Sequence, residues 1–170
     1  DQTLTMIRIV AIAALCSAIV IPAAQAAPIA MGRYDNWTVF TEEVGGEKLC
    51  YAATEATDKA PQSANHGDVW FFVSNWASGK ARSQPSLKVG YDLRADLPAR
   101  ASVGRSGWTL YGVGGEAFAQ DRDDSQIVDA LRRGSELHVE AVSSRNTQVS
   151  YHFSLSGSAA AIDKASSLCR

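Results

Sequence analysis

The amino-acid sequence predicts an all-β, antiparallel sandwich with two short accessory helices. Seven or more short runs rich in aromatic and β-branched residues are separated by Gly, Asn, Ser and Pro, as in β-sandwiches. Only two segments show helical spacing of apolar residues, at about 122–133 and 158–168. No repeat or convincing linker divides residues 27–170, so we expect one domain there.

Five strands are predicted before the first helix, at 37–41, 48–55, 69–73, 87–91 and 108–111. Their aromatic and β-branched residues fit a pleated surface. The run from Val69 to Val73 is continuously apolar, as expected for a core strand. The glycine-rich segment from Gly112 to Gly115 lacks the lysine and hydroxyl residue of a phosphate-binding loop. We therefore interpret it as a turn that ends the fifth strand.

The first helix is predicted from its charges as well as from its periodicity. Its apolar stripe consists of Ile127, Val128 and Leu131. Acidic residues at its start and arginines in its last turn complement the helix dipole, and Gly134 is a natural stop. Asp121, Asp123 and Asp124 suggest calcium only weakly, because the glycine and closing glutamate of an EF-hand loop are missing. We interpret them as capping the helix.

The stretch after Gly134 predicts a β-hairpin followed by the second helix. The first hairpin strand alternates at Leu137, Val139 and Ala141. The second alternates at Val149, Tyr151, Phe153 and Leu155. Period-2 alternation gives each strand one buried face. After Gly157 the apolar residues change to helical spacing and lead directly into Cys169.

The N-terminal residues predict export. Arg8 precedes an apolar run at 9–21, and small residues follow at Ala24 and Ala26, which is the pattern of a secretory signal peptide. We expect cleavage between Ala26 and Ala27, with the first five residues lying upstream of the initiator methionine. Retention as a membrane anchor is the alternative, but Pro22 shortens the apolar run below the length of a spanning helix. We expect no transmembrane segment in the mature chain.

Two cysteines remain after such cleavage, Cys50 and Cys169. An even number in an oxidising compartment favours a disulfide between them. A redox-active pair is the alternative, but the C-x-x-C spacing is absent, and a metal site has less support still. The formal net charge of −2 argues against a nucleic-acid-binding surface and against a strongly basic membrane-binding surface.

The chain resembles the invasion-associated locus B (IalB) family over nearly all of residues 36–169. The N-terminal half of the resemblance lies in Asn36-Trp37-Thr38-Val39, Cys50-Tyr51, Gly67-Asp68 before 69–73, and Gly90-Tyr91. The C-terminal half lies in Ala130-Leu131, Gly134-Ser135, Ser143-Ser144-Arg145 with Thr147, Ser154-Leu155-Ser156-Gly157 and Ala160-Ala161. Asn146 stands where the family pattern has Gly, and Ser158 where it has an aromatic residue. The chain resembles the two-cysteine branch.

The resemblance implies an immunoglobulin-like β-sandwich exported by a Gram-negative bacterium, in the periplasm or secreted. Some members of the family are linked to host-cell invasion. The resemblance brings no catalytic residue and no cofactor to this chain. It implies an envelope or host protein as the partner.

The sequence contains three histidines, His66, His138 and His152, of which the last two are the first candidates for catalysis. His138 and His152 are predicted on neighbouring hairpin strands, on the face opposite the apolar stripe. Ser150 or Ser154 with Glu140 would complete a serine-hydrolase triad on paper, but no G-x-S-x-G elbow is present. A zinc site at His138 and His152 would need a third ligand, for which Glu140 is the candidate. We favour a solvated strand face over either site.

The aromatic residues Trp70, Phe71, Phe72 and Trp76 include neighbours that must point to opposite faces of a strand. We favour core packing on both faces, with a helix covering the second. The alternative is a surface patch that binds protein, peptidoglycan or lipid.

Two classes of function therefore remain. The first is a non-enzymatic exported interaction protein, which predicts an exposed aromatic patch and no cleft of convergent titratable groups. The second is a periplasmic small-ligand carrier or envelope enzyme, which predicts a pocket that gathers His138 or His152 with a carboxylate. We expect the first, with no catalytic residues.

Overall fold

The computed structural model describes Pro22 and residues 26–170. The strands are β1 (Ile29–Tyr34), β2 (Trp37–Val44), β3 (Glu47–Glu55), β4 (Asp58–Ala60), β5 (Trp70–Trp76), β6 (Gln84–Lys88), β7 (Ala99–Val103), β8 (Ser106–Val113), β9 (Glu116–Phe118), β10 (Glu136–Val142) and β11 (Gln148–Ser154). The helices are α1 (Asp121–Arg133) and α2 (Ser158–Leu168). The predicted all-β sandwich with two helices is confirmed.

The strands form one open antiparallel sheet in the order β1-β2-β3-β5-β6-β9-β8-β7-β10-β11-β4. The strand β8 belongs to both halves of this sheet, because Ser106 to Leu110 pair with β7 whereas Tyr111 to Val113 pair with β9. We call β1, β2, β3, β5, β6 and β9 the first half-sheet, and β7, β10, β11 and β4 the second. The two-residue segment between β3 and β4 also connects the two half-sheets, since Thr57 N donates to His152 O of β11 at 2.8 Å.

The core lies between the two half-sheets. Trp37 is fully buried on β2, and its indole Nε1 donates to Ser154 O on β11 at 3.0 Å. The rings of Phe71 and Phe153 meet edge to face at 5.8 Å between centroids. The buried helix residues Ile127, Leu131, Ala161, Ile162 and Ala165 belong to the same cluster. Both helices therefore pack on the inner side of the sheet.

The hairpin buries the alternating residues that were predicted on its two strands. Leu137 pairs with Phe153, Val139 with Tyr151 and Ala141 with Val149, and all of these side chains are buried. Cys50 and Cys169 form the predicted disulfide, with their Cα atoms 5.9 Å apart. The bridge ties β3 to the end of α2, where Lys48 Nζ also donates to Leu168 O at 2.9 Å.

Some predicted boundaries are wrong. β8 continues to Val113, so Gly112 does not end that strand, and the turn lies at Gly114 and Gly115. Gly112 stays in the strand because its pairing with Ala117 of β9 supplies backbone partners. Among the described residues, no helix has the length and apolar character needed to cross a membrane. The predicted signal peptide, whose apolar run contains the third cysteine, Cys16, lies outside the described residues, apart from Pro22 and Ala26.

Candidate functional site

The outer side of the first half-sheet carries an aromatic face. Side chains on β5 alternate, so that Phe71 and Val73 point into the core whereas Trp70, Phe72 and Trp76 are half-buried on the outside. The strand register places further rings on the same side. We define the aromatic face as Phe40, Tyr51, Trp70, Phe72, Trp76, Tyr111 and Phe118.

The expected burial of both faces of β5 is therefore wrong for three of its four aromatic residues. Alternation predicted two faces correctly, but we expected a helix to cover the second one. Both helices instead pack inside, because their buried side chains belong to the cluster between the half-sheets. Tyr111 is 42% exposed and its neighbour Val113 is 69% exposed. The surface patch of aromatic residues, which was the less favoured alternative to core packing, is therefore present.

Four rings of the aromatic face form a continuous chain of contacts from β2 through β3 to β5. Phe40 stacks on Tyr51 at 5.5 Å, Tyr51 meets Phe72 edge to face at 5.4 Å, and Phe72 stacks with Trp70 at 6.3 Å. Lys80 Nζ lies 3.6 Å from the centroid of the Trp76 ring. Burial, with a smaller effect of Glu42, raises the pKa of the Tyr51 phenol, which therefore stays protonated. Such contacts hold the rings in place without a partner.

A shallow groove of about 230 Å³ crosses the aromatic face. Its polar lining residues are Glu42, Ser74, Gln84, Ser86, Lys88 and Glu116. Apolar rings interleaved with polar groups of both signs are typical of a surface that binds another macromolecule.

The hairpin histidines lie on the outer face of the second half-sheet, as predicted. Their rings stack at 4.4 Å, and both are about one-third exposed. His138 Nε2 is 2.7 Å from Ser150 Oγ, and His152 Nδ1 is 2.9 Å from Glu136 Oε1.

This arrangement is not a serine-hydrolase triad. A triad needs the serine on one ring nitrogen and the carboxylate on the other. Ser150 and Glu140 both approach Nε2 of His138, with Glu140 at 4.0 Å. Ser154 instead donates to Asn36 Oδ1 at 3.0 Å. No group of three His, Cys, Asp or Glu suited to a metal ion occurs among residues 26–170, so the zinc site with Glu140 is not formed there.

His66, by contrast, is buried at the floor of a cleft that the sequence did not indicate. Its Nε2 lies 2.7 Å from Pro61 O, and its Nδ1 lies 2.8 Å from the hydroxyl of Tyr151. The Tyr151 hydroxyl is also 2.5 Å from that of Tyr91. The cleft has a volume of about 630 Å³ and is lined by Ala64, Asn65, His66, Gly90, Tyr91, Asp92, Ser143, Ser144, Arg145, Thr147 and Val149.

Two glycines bring the walls of this cleft together. A Cβ added to Gly90 would lie 3.2 Å from both Gly67 Cα and His66 O, closer than a side chain normally packs against backbone. Gly67 also has φ of +62°. The motifs Gly67-Asp68, Gly90-Tyr91 and Ser143-Ser144-Arg145, which carry the family resemblance, therefore meet at one place. No single segment of the sequence indicates the cleft, because these motifs are far apart in the chain and come together only in the fold.

The aspartates at the start of α1 do not cap it as predicted. The N-cap residue is Gln120, which makes no side-chain capping hydrogen bond, and Asp121, Asp123 and Asp124 lie within the first turn. They still complement the helix dipole there. Asp124 Oδ1 is buried and has no hydrogen-bond partner among the residues that the structure describes. Burial, with smaller contributions from Asp121 and Asp123, raises the pKa of Asp124 to about 6.

We expect Asp124→Asn to stabilise the protein at neutral pH. The carboxyl pKa is raised from 3.8 to about 6 on folding, so the wild type loses stability as pH rises through that interval. Asn carries no charge at any of these pH values. The gain in free energy of unfolding of the variant over the wild type should therefore be absent below about pH 4, grow up to about pH 6 and then stay constant. Urea unfolding at several pH values measures the difference. The exposed Asp58→Asn is the matched control. A pH-independent effect of Asp124→Asn would contradict the argument.

Comparison with known proteins supplies the family. A family model described as Invasion associated locus B (IalB) protein matches residues 37–166. No curated protein and no solved structure matches the chain significantly. The matched region begins at the first residue of β2 and ends within α2, so it includes the aromatic face, the histidine hairpin and the cleft. The chain belongs to the invasion associated locus B family.

Proposed function

We propose that this protein is an exported, non-enzymatic interaction protein whose aromatic face binds a protein of the cell envelope or of a host surface. The observation that carries the proposal is that face: seven aromatic side chains lie on the outside of one half-sheet, with neither described helix packed on them. Six of these side chains are at least partly exposed, and Tyr51 is buried among them. Contiguous apolar surface of this kind marks interaction sites, and Trp, Tyr and Phe supply much of the binding energy at interfaces.

Export is part of the proposal and rests on two features. The signal-peptide pattern precedes Ala27, and the Cys50–Cys169 disulfide is of a kind that persists in oxidising compartments. The family and the disulfide together point to an extracytoplasmic protein. We place it in the periplasm or the medium of a Gram-negative bacterium.

Protein isolated from the native host is expected to begin at or near Ala27 and to fractionate with the periplasm or the medium. N-terminal sequencing after fractionation makes both measurements. An intact N-terminus recovered with the inner membrane would contradict the export proposal and leave the binding proposal to be tested separately.

The binding surface is tested by mild cross-linking in intact envelope and capture of the protein with its partners. Trp70→Ser combined with Tyr111→Ser is expected to reduce capture of any specific partner by roughly tenfold or more, because removal of an interface anchor commonly costs 2 kcal/mol or more, as an order-of-magnitude estimate. Leu97→Ser is the matched control, since Leu97 is 43% exposed but lies outside the face.

The histidine variants His138→Ala and His152→Ala are expected to retain capture and any phenotype of the deletion strain. Both side chains are on an open strand face, where substitutions change stability by about 0.5 kcal/mol or less. Loss of phenotype in either variant, with an unchanged melting temperature, would instead favour the small-ligand carrier or envelope enzyme. Equal capture by the aromatic-face variant and the wild type would overturn the assignment of the surface.

A further inference from the structure

The cleft above His66 is lined by two residues of opposite charge, Asp92 and Arg145. The backbone N of Ser144 donates to the carbonyl of Asp92 at 2.8 Å, which brings Asp92 beside the turn that carries Arg145. Both side chains are exposed. In the part of the chain that the structure describes, neither forms a salt bridge. A carboxylate and a guanidinium are therefore both available at the same cleft.

The turn that carries Arg145 is held rigidly. Ser143 N donates to Thr147 O at 2.9 Å, and Thr147 N donates to Ser143 Oγ at 3.1 Å. Asn146 has φ of +66°, a conformation that Gly or Asn adopts most easily, and Arg94 Nη1 donates to its Oδ1 at 2.9 Å. A site on a fixed backbone loses less entropy when a ligand binds than a mobile loop does.

The hydrogen bonds at the floor of the cleft have a single consistent direction. A backbone carbonyl only accepts, so His66 Nε2 carries the ring proton and donates to Pro61 O, and in that tautomer Nδ1 accepts from Tyr151. The Tyr151 hydroxyl has then used its proton, so Tyr91 donates to it. The oxygen of Tyr91 consequently has no proton left to offer and only accepts. The floor favours a ligand that brings its own N–H or O–H donors.

We propose that this cleft binds a small zwitterion of the amino-acid or dipeptide type. Arg145 receives the ligand carboxylate through its planar pair of N–H donors. Asp92 and the Tyr91 oxygen accept from the ligand ammonium group, which brings three donors. The volume of about 630 Å³ is within the range of small-molecule sites and leaves room for a side chain over Tyr91 and Val149. This site is separate from the aromatic face and does not depend on its function.

Isothermal titration of the purified mature protein tests the proposal, with L-alanyl-L-alanine, glycine and the nineteen chiral standard L-amino acids as single probes at millimolar concentration. At least one probe is expected to bind saturably to one site. Arg145→Gln and Asp92→Asn should each weaken that binding roughly tenfold or more, because each removes a charge-assisted hydrogen bond. Arg105→Gln, in the turn between β7 and β8, is the matched control and should bind normally.

The charge requirement is tested on the ligand as well as on the protein. N-acetyl and C-amide derivatives of the binding probe each lack one charge and should each lose most of the affinity. The double variant Trp70→Ser with Tyr111→Ser should bind the probe as the wild type does, which separates this site from the aromatic face. The proposal is overturned if no probe binds, if binding survives both Arg145→Gln and Asp92→Asn, or if the uncharged derivatives bind equally well.

Discussion

Replacement of Cys50 and Cys169 by serine is expected to lower the free energy of unfolding by about 4–5 kcal/mol. The disulfide closes a loop with a sequence separation of 119 residues, and cross-links over long loops restrict the unfolded chain most in the chain-entropy account. For a domain of this size the melting temperature should fall by roughly 10–20 °C. Thermal unfolding followed by circular dichroism measures it.

The single variants provide the internal check. Once one cysteine is gone the other has no partner, so Cys50→Ser, Cys169→Ser and the double variant should be about equally destabilised. Reduction of the wild type should bring its melting temperature to a similar value, and thiol labelling of the denatured, unreduced protein should find no free cysteine at 50 or 169. A reduced wild type as stable as the oxidised one would show that the bridge contributes little.

Gly157→Ala is expected to destabilise the protein by about 3 kcal/mol or more. Gly157 is the N-cap residue of α2 and has φ of +87°, in the left-handed region that costs other residues energy. An added Cβ would also overlap the carbonyl oxygen of Tyr34, which is backbone and cannot rotate away. Urea unfolding gives the change in free energy.

Gly104→Ala separates the two causes of that loss. Gly104 has φ of +57°, but an added Cβ there would meet nothing within 4 Å. Its substitution should therefore cost only the backbone strain, about 1–2 kcal/mol. If both substitutions cost the same, the contact between Tyr34 and Gly157 would not be a determinant of stability.

Most of the regular structure could be predicted from local sequence. The hairpin was predicted residue by residue, because one-sided burial imposes alternation on β10 and β11. Both helices were predicted to within one residue, since α1 has acidic and basic ends and a Gly stop, and α2 follows Gly157. Four strands, β1, β4, β7 and β9, were not predicted, and the strand predicted at 87–91 lies at Gln84–Lys88 instead. β4 and β9 have only three residues each, which cannot show a period.

The candidate sites differ in how far the sequence predicted them. Cysteine count and the export pattern were enough to predict the disulfide. The histidines of the hairpin were placed correctly on one face, but their hydrogen-bond partners, Ser150 and Glu136, come from the neighbouring strand of the hairpin. His66 received no role from its sequence context, because its partner Tyr151 lies 85 residues away.

The sequence by itself determined which residues alternate, where the helices begin and end, and which two cysteines pair, because these depend on local periodicity, local charge and composition. Only the tertiary structure decided which alternating face is left outside. Trp70 and Phe71 are adjacent and similar in hydrophobicity, yet one is on the aromatic face and the other in the core. The difference arises because α1 and α2 pack between the half-sheets, and the choice of packing partner is a property of the whole fold rather than of any segment.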